Sequence, residues 1–108
     1  VILVVDWCAV NNRIVSGGED RKYKVWDAYG RIIYTSTVHD HPLTAVRWSP
    51  GGAYFAASSY DMLRLCDQGG WSQSLQRHSS GSVYGLAWTD DGSQVALGCA
   101  NGDVLFGH

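Results

Sequence analysis

The segments Val5-Asp6-Trp7, Val46-Arg47-Trp48 and Leu86-Ala87-Trp88 decide the fold, because they recur along the chain at a nearly constant spacing. Their three tryptophans are 41 and 40 residues apart. Each segment ends a run in which apolar positions alternate, and a period of two is typical of a strand with one buried face. A repeat of about forty residues predicts an architecture in which similar units stack on one another.

A turn and further strands follow each of these tryptophans. The turns contain Asn11-Asn12, Pro50-Gly51-Gly52 and Asp90-Asp91-Gly92, residue types that set or tolerate the dihedral angles of tight turns. Short runs between turn residues predict a second strand at 13–16, 53–56 and 93–96, a third at 23–27, 63–67 and 103–106, and a fourth at 31–36 and 71–76. No stretch of ten or more residues has a helical period, so the sequence predicts an all-β chain.

These strands group into four-stranded antiparallel units that are typical of propeller blades. We predict two full blades, 1–38 and 39–77, and a partial third blade at 78–108. A propeller has about four to eight blades, so the chain is predicted to be a propeller fragment. An open fragment would expose two apolar blade faces. We therefore expect either more chain on both sides, in keeping with the absence of an initiator Met, or association between copies.

Composition narrows the classes of function. The formal net charge is −2, which gives no reason to expect a nucleic acid or an anionic membrane as a partner. The apolar run 1–5 is far too short to span a bilayer. Cys8, Cys66 and Cys99 are odd in number and contain no Cys-x-x-Cys pair, so we expect free thiols rather than disulfides or a zinc site.

Motifs for catalysis, cofactors and metals are weak. The sequence His39-Asp40-His41 is the best metal candidate, but zinc needs three or four convergent ligands, and a structural role for His39 is the simpler interpretation. Ser79 and Ser80 lie beside His78 without a Gly-x-Ser-x-Gly motif. Asp90 and Asp91 lead directly into a glycine and are interpreted as turn formers. We predict no catalytic residue, no cofactor and no bound metal.

Loops that connect the strands are the candidate docking surfaces, because loops on a rigid frame often carry recognition. Arg21, Lys22 and Lys24 form a local basic cluster, which is either a solvated turn or a docking patch for an acidic partner. Asp40 and His41 are further candidates on a neighbouring loop. A propeller enzyme would need polar residues where the first strands begin, but 2–5, 43–46 and 83–86 are mostly apolar.

The segment from Gly17-Gly18-Glu19-Asp20 to Trp26-Asp27 resembles the WD-repeat family, with the aspartate six residues before the tryptophan. The resemblance implies a hydrogen-bonded network in each blade, built from a His before the first strand, a Ser or Thr on the second, the Asp and the Trp. The positions that match this network are Ser16, Asp20, Trp26 and, for the second blade, His39. The second and third blades depart from it at Tyr60, Cys66, Asn101 and Gly107.

The run from Val5 to Asp27, together with Leu63-Arg64-Leu65-Cys66-Asp67 and Gly70-Trp71, is similar to the intraflagellar transport 80 family. The resemblance implies a non-catalytic scaffold in intraflagellar transport complex B, in the cilium or flagellum and at the basal body. It further implies docking to a calponin-homology-domain subunit and dimers of the full-length protein. A vesicle-coat or ubiquitin-ligase adaptor is the neighbouring alternative, and a propeller enzyme is the third.

Overall fold

A computed structural model describes residues 2–39, 41–60, 62–77, 81–102 and 104–107. Within these ranges the regular structure consists of β-strands, which confirms the predicted all-β class. The strands are β1 Ile2–Cys8, β2 Arg13–Gly18, β3 Tyr23–Asp27, β4 Ile32–Thr35, β5 Ala45–Trp48, β6 Tyr54–Ser58, β7 Met62–Asp67, β8 Ser72–Arg77, β9 Val83–Trp88, β10 Val95–Cys99 and β11 Val104–Gly107.

The strands form three antiparallel sheets in chain order. The first sheet has the order β1-β2-β3-β4, the second β5-β6-β7-β8 and the third β9-β10-β11. Each strand pairs with its neighbour along the chain, as short hairpin turns require. The first strands β1, β5 and β9 are also neighbours in space, so the sheets fan out from a common side. This is the arrangement of consecutive propeller blades.

Left-handed residues at one turn of each sheet follow the forty-residue repeat. Asn12, Gly52 and Gly92 have φ angles of 58°, 75° and 73°, and each lies in the reversal between the first and second strands. Their N–H groups donate to backbone carbonyls three or four residues earlier, at 2.9 to 3.0 Å. Asparagine is among the few residues besides glycine that adopt this conformation readily, which is why the first repeat tolerates it. The sequence-based assignment of these turns is confirmed.

The start of β10 differs from the prediction by two residues. The sequence places Ser93 and Gln94 at the beginning of this strand, but they belong to the preceding turn. The N–H of Ser93 donates to the carboxylate of Asp91 at 3.0 Å, and the N–H of Thr89 donates to the carbonyl of Gln94 at 2.9 Å. These local bonds satisfy backbone groups within the turn, so strand pairing begins at Val95.

Two apolar layers hold the sheets together. Val15, Val25, Phe55 and Cys66 are fully buried in the layer between the first and second sheets. The layer between the second and third sheets has its own buried set, which includes Ala56, Leu63, Val83, Val95 and Leu97. The second sheet therefore buries both of its faces. On the first sheet, Val5, Trp7 and Ile32 remain 63%, 60% and 52% exposed.

Candidate functional site

Adjacent sheets are joined by a hydrogen bond that repeats with the sequence. The indole N–H of Trp48 donates to the carbonyl of Asp6 at 3.1 Å, and that of Trp88 donates to the carbonyl of Arg47 at 3.1 Å. In each case the acceptor is the residue just before the tryptophan of the preceding sheet. Asp6 adds a second bond, because its carboxylate accepts the backbone N–H of Trp48 at 2.8 Å. The repeat therefore fixes the spacing between sheets as well as the strands within them.

Trp7 does not share this environment. Trp48 is 5% exposed, whereas Trp7 is 60% exposed, in keeping with the expectation that an open fragment exposes an apolar blade face. The physical reason is position in the stack: Trp7 lies on the face of the first sheet that no other described sheet covers. Trp48 and Trp88 thus link their sheets to the preceding sheet, whereas the equivalent Trp7 faces outward from the first sheet.

The residues assigned to the WD-type network are brought together in part. The indole N–H of Trp26 donates to the buried hydroxyl of Ser16 at 3.0 Å. Asp20 lies in the exposed turn after β2, where its carboxylate accepts the N–H of Lys22 at 3.2 Å. His39 reaches the same turn, since its backbone N–H donates to the carbonyl of Arg21 at 2.7 Å. Its ring atom Nδ1 also lies 2.9 Å from that carbonyl oxygen. These contacts join the loop before β5 to the turn between β2 and β3.

Cys66, at the position of the family's tryptophan, has a partner from the neighbouring sheet. The hydroxyl of Tyr23 donates to the carbonyl of Gly70 at 2.6 Å and lies 3.5 Å from the Cys66 sulfur. Burial raises the pKa of the Cys66 thiol to about 11, and burial also raises the pKa of the Tyr23 phenol. Both groups stay neutral near pH 7, so this position has a structural role. The three cysteines are free thiols in the structure, and Cys8 and Cys66 are buried.

The candidate docking residues that the structure describes lie near one end of the first and second sheets. Arg21 is exposed with a φ angle of 64°, and Lys22 follows it in the turn. Lys24 lies on β3, with its ammonium 6.0 Å from the centre of the Trp26 ring. The His41 ring packs against Tyr60 at 5.2 Å between centroids. Asp40 lies outside the described residues.

The histidines of the weak metal motif take part in aromatic packing. His39 and His41 contact Tyr23 and Tyr60 respectively, at ring-centroid distances of 5.6 and 5.2 Å. The described residues contain no group of three His, Cys, Asp or Glu side chains that could bind a metal ion. Residues 78–80, with the His-Ser-Ser sequence, lie outside the described residues.

Asp91 forms a turn, as the sequence predicts. Its carboxylate accepts the N–H and the hydroxyl of Ser93 at 3.0 and 2.8 Å, and the hydroxyl of Thr89 at 2.7 Å. The backbone N–H of Ser93 contributes most to the fall in the pKa of Asp91, which reaches about 2. A carboxyl group that stays ionised and saturated with local donors is poorly suited to general acid–base chemistry at neutral pH.

Two four-stranded and one three-stranded antiparallel sheets, joined by a repeated indole–carbonyl bond, define the class of protein as a β-propeller. The family model "WD domain, G-beta repeat" matches residues 2–27, 30–63 and 69–106, so the chain belongs to the WD40 family. This confirms the resemblance seen in the sequence.

Among curated proteins, the chain is 53% identical over all 108 residues to the intraflagellar transport protein 80 homologs of rat and mouse. It spans 14% of the length of those relatives. It is also 32% identical over 97 residues to the nuclear distribution protein nudF 2 of Penicillium rubens, covering 86% of this chain and 20% of that protein. The chain is a WD-repeat module that is similar to the intraflagellar transport protein 80 homologs over its whole length.

Two features of this region were missed by sequence reasoning. The Tyr23–Gly70 bond spans 47 residues, and its only sequence signal is the replacement of the expected tryptophan by Cys66. The polar groove around Arg64 gives no motif, because its lining residues come from three separate stretches of sequence.

In the described part of the chain, no helix is both long and apolar enough to cross a membrane.

Proposed function

We propose that this chain is a non-catalytic docking module within a subunit of intraflagellar transport complex B, working in the cilium or flagellum and at the basal body. The observation that carries the proposal is the 53% identity to intraflagellar transport protein 80 homologs, which extends across the whole chain. Several other proteins match at lower identity, 32% to 37% over 49% to 86% of the chain.

The architecture supports a scaffold. Sheets that are fixed to one another by buried apolar layers and indole–carbonyl bonds give a rigid frame, and the turns at their ends are available to contact partners. Exposed apolar side chains at these ends and edges, such as Tyr29 at 86% and Val10 at 69%, add contact area. A rigid frame loses little conformational entropy when it binds.

For the docking surface we propose the end that carries Arg21 and Lys22, together with His41 on the next loop. Asp40, which the sequence adds beside His41, lies outside the described residues. Lys24 is a weaker member, because its ammonium lies over Trp26. The partner we propose is a calponin-homology-domain subunit of the same complex, which the resemblance to the transport family implies. The resemblance also implies dimers of the full-length protein. This chain spans 14% of the length of its relatives, and we assign no dimer contact to it.

Ciliated cells that express the tagged protein provide the test. We expect the double variant Arg21→Gln/Lys22→Gln to lose the calponin-homology subunit while keeping its fold, because glutamine removes the charge and retains a polar, flexible side chain. Arg31→Gln is the matched control, since Arg31 is an exposed arginine at the opposite end, where it pairs with Asp27 at 2.8 Å. Equal loss in both variants would contradict docking at the Arg21 end.

The alternative is an adaptor in a vesicle coat or a ubiquitin ligase, since WD40 repeats occur in relatives with other names, such as actin-interacting protein 1 of Drosophila melanogaster. Localisation of the tagged protein separates these two functions. Concentration at the ciliary base and along the cilium supports the transport role, whereas a Golgi-like or diffuse distribution favours an adaptor.

A further inference from the structure

The two outer faces of the sheet stack are the two halves of one repeating interface. Within the chain, the face of a sheet that carries the repeating tryptophan packs on the opposite face of the preceding sheet, as Trp48 and Trp88 show. Among the described residues, no sheet covers the Trp7 face of the first sheet or the face of the third sheet that points away from the second. We call these two surfaces the donor face and the acceptor face.

The donor face is apolar and carries an unused hydrogen-bond donor. Strand pairing places Trp7, Ile14, Trp26 and Ile32 directly across from one another, so they share this face. Trp7 and Ile32 are more than half exposed. Lys24 also lies on this face, with its ammonium 6.0 Å from the centre of the Trp26 ring. Whereas the indoles of Trp48 and Trp88 each donate to a carbonyl, that of Trp7 donates to none among the described residues.

The acceptor face is flat, because small residues define it. Leu86 and Leu97 are buried against the second sheet, and successive residues of a strand point to opposite faces. Ala87 also occupies the repeat position of Asp6 and Arg47, whose carbonyls accept the indole N–H groups of the following sheets. Its carbonyl is therefore the equivalent acceptor of the third sheet. The residues that define the acceptor face are Gly85, Ala87, Ala96 and Gly98.

The size of these faces decides which assembly they can hold together. With about 4.8 Å between strands and a rise of about 3.3 Å per residue, the three-stranded third sheet has a face of roughly 240 Å². One contact between two such faces buries about 500 Å², which is too little for a specific interface, whereas two contacts bury about 1,000 Å² and reach the lower limit. A closed pair of copies makes two contacts, and an open pair makes one.

We propose that two copies of this chain associate head to tail, with the donor face of each seated on the acceptor face of the other. In each contact, the indole N–H of Trp7 donates to the carbonyl of Ala87 of the partner subunit. Continuity with the two interfaces inside the chain favours a second copy, because it supplies the same kind of face and the same acceptor. Such heterologous contacts form a ring when the rotation closes. Two copies contribute six sheets, within the range of about four to eight blades in propellers.

Sedimentation velocity of the 108-residue chain at increasing micromolar concentration tests the proposal, which does not depend on the role in transport. We expect a dimer whose fraction rises with concentration. Trp7→Arg on the donor face and Ala87→Arg on the acceptor face should each give a monomer, because either change buries an unpaired charge in both contacts. Tyr29→Arg is the control, since Tyr29 is an exposed aromatic residue in the turn between β3 and β4, outside both faces.

Trp7→Phe tests the hydrogen bond separately from the apolar contact. Phenylalanine keeps an aromatic ring and lacks the indole N–H, so the Kd of the dimer should rise about 5- to 30-fold for the two lost bonds. An unchanged Kd in this variant would overturn the assigned bond.

The Ala87→Arg variant separates the head-to-tail arrangement from a symmetric dimer through two Trp7 faces, which would survive this change. A dimer in Ala87→Arg would therefore overturn the proposal. A monomeric parent chain throughout the concentration range, or a series of larger oligomers in place of the dimer, would overturn the closed pair, as would equal dissociation by Tyr29→Arg. Far-UV circular dichroism of each variant establishes that the sheets are retained.

Discussion

The pair Trp48 and Trp7 gives the sharpest prediction of the structure, because the two residues occupy the same repeat position in opposite environments. Trp48 is 5% exposed, packs edge-on against Phe55 at 5.2 Å and donates its indole N–H to Asp6. Removing a buried Trp side chain costs about 3–5 kcal/mol through lost burial and the cavity left behind. We expect Trp48→Ala to lower the free energy of unfolding by that amount.

The matching change Trp7→Ala should alter the free energy of unfolding by no more than about 0.5 kcal/mol, since Trp7 is 60% exposed. Trp48→Phe separates the contribution of aromatic packing from that of the hydrogen bond. It keeps an aromatic ring but loses the bond to the carbonyl of Asp6, at a cost of about 1–2 kcal/mol. Urea unfolding followed by far-UV circular dichroism at sub-micromolar protein measures all three variants without interference from association. Equal destabilisation by Trp7→Ala and Trp48→Ala would refute the stacking order of the sheets.

Four further outcomes are expected. Tyr23→Phe removes a buried bond to Gly70 and should cost about 1–3 kcal/mol in urea unfolding, whereas Tyr60→Phe, on an exposed ring, should cost almost nothing. The pKa of Asp91 is lowered to about 2, so its carboxylate stabilises the fold above its unfolded pKa of about 3.9, and this stabilisation is lost as the pH falls toward 2. The loss of stability caused by Asp91→Ala should therefore become smaller between pH 4 and pH 2. An equal loss of stability at pH 2 and pH 7 would contradict the assigned turn. With a thiol reagent at pH 8, Cys99, which is the most exposed of the three, should react first, and Cys66, whose pKa is raised to about 11, should react with unfolding. Trp7→Arg should reduce association between copies in light scattering at micromolar concentration, because Trp7 lies with Val5 on the uncovered apolar face; a monomeric parent chain would sink that expectation.

Much of the fold follows from local patterns in the sequence. The bounds predicted for the third strand of the first blade, 23–27, coincide with β3, because alternating apolar residues between turn residues specify both ends. The left-handed turn at Asn12 was also predictable, since asparagine replaces the glycine found at the same point of the next two repeats. These features depend on residues that are close in sequence.

Features that depend on contacts between sheets could not be predicted from the sequence. No local pattern distinguishes Trp7 from Trp48, and only the number of predicted blades indicated that an apolar blade face would be exposed. The Tyr23–Gly70 bond and the Arg64 groove arise where strands distant in sequence meet. A periodic pattern predicts which face of a strand is buried, but it does not show which neighbouring sheet covers that face.

The central claim, that the chain is a docking module for intraflagellar transport, is tested most directly by affinity purification of the tagged protein from ciliated cells, followed by mass spectrometry. We predict recovery of complex B subunits, including the calponin-homology-domain subunit. Recovery of vesicle-coat or ubiquitin-ligase components in their place would contradict the transport role and leave only the WD40 propeller standing.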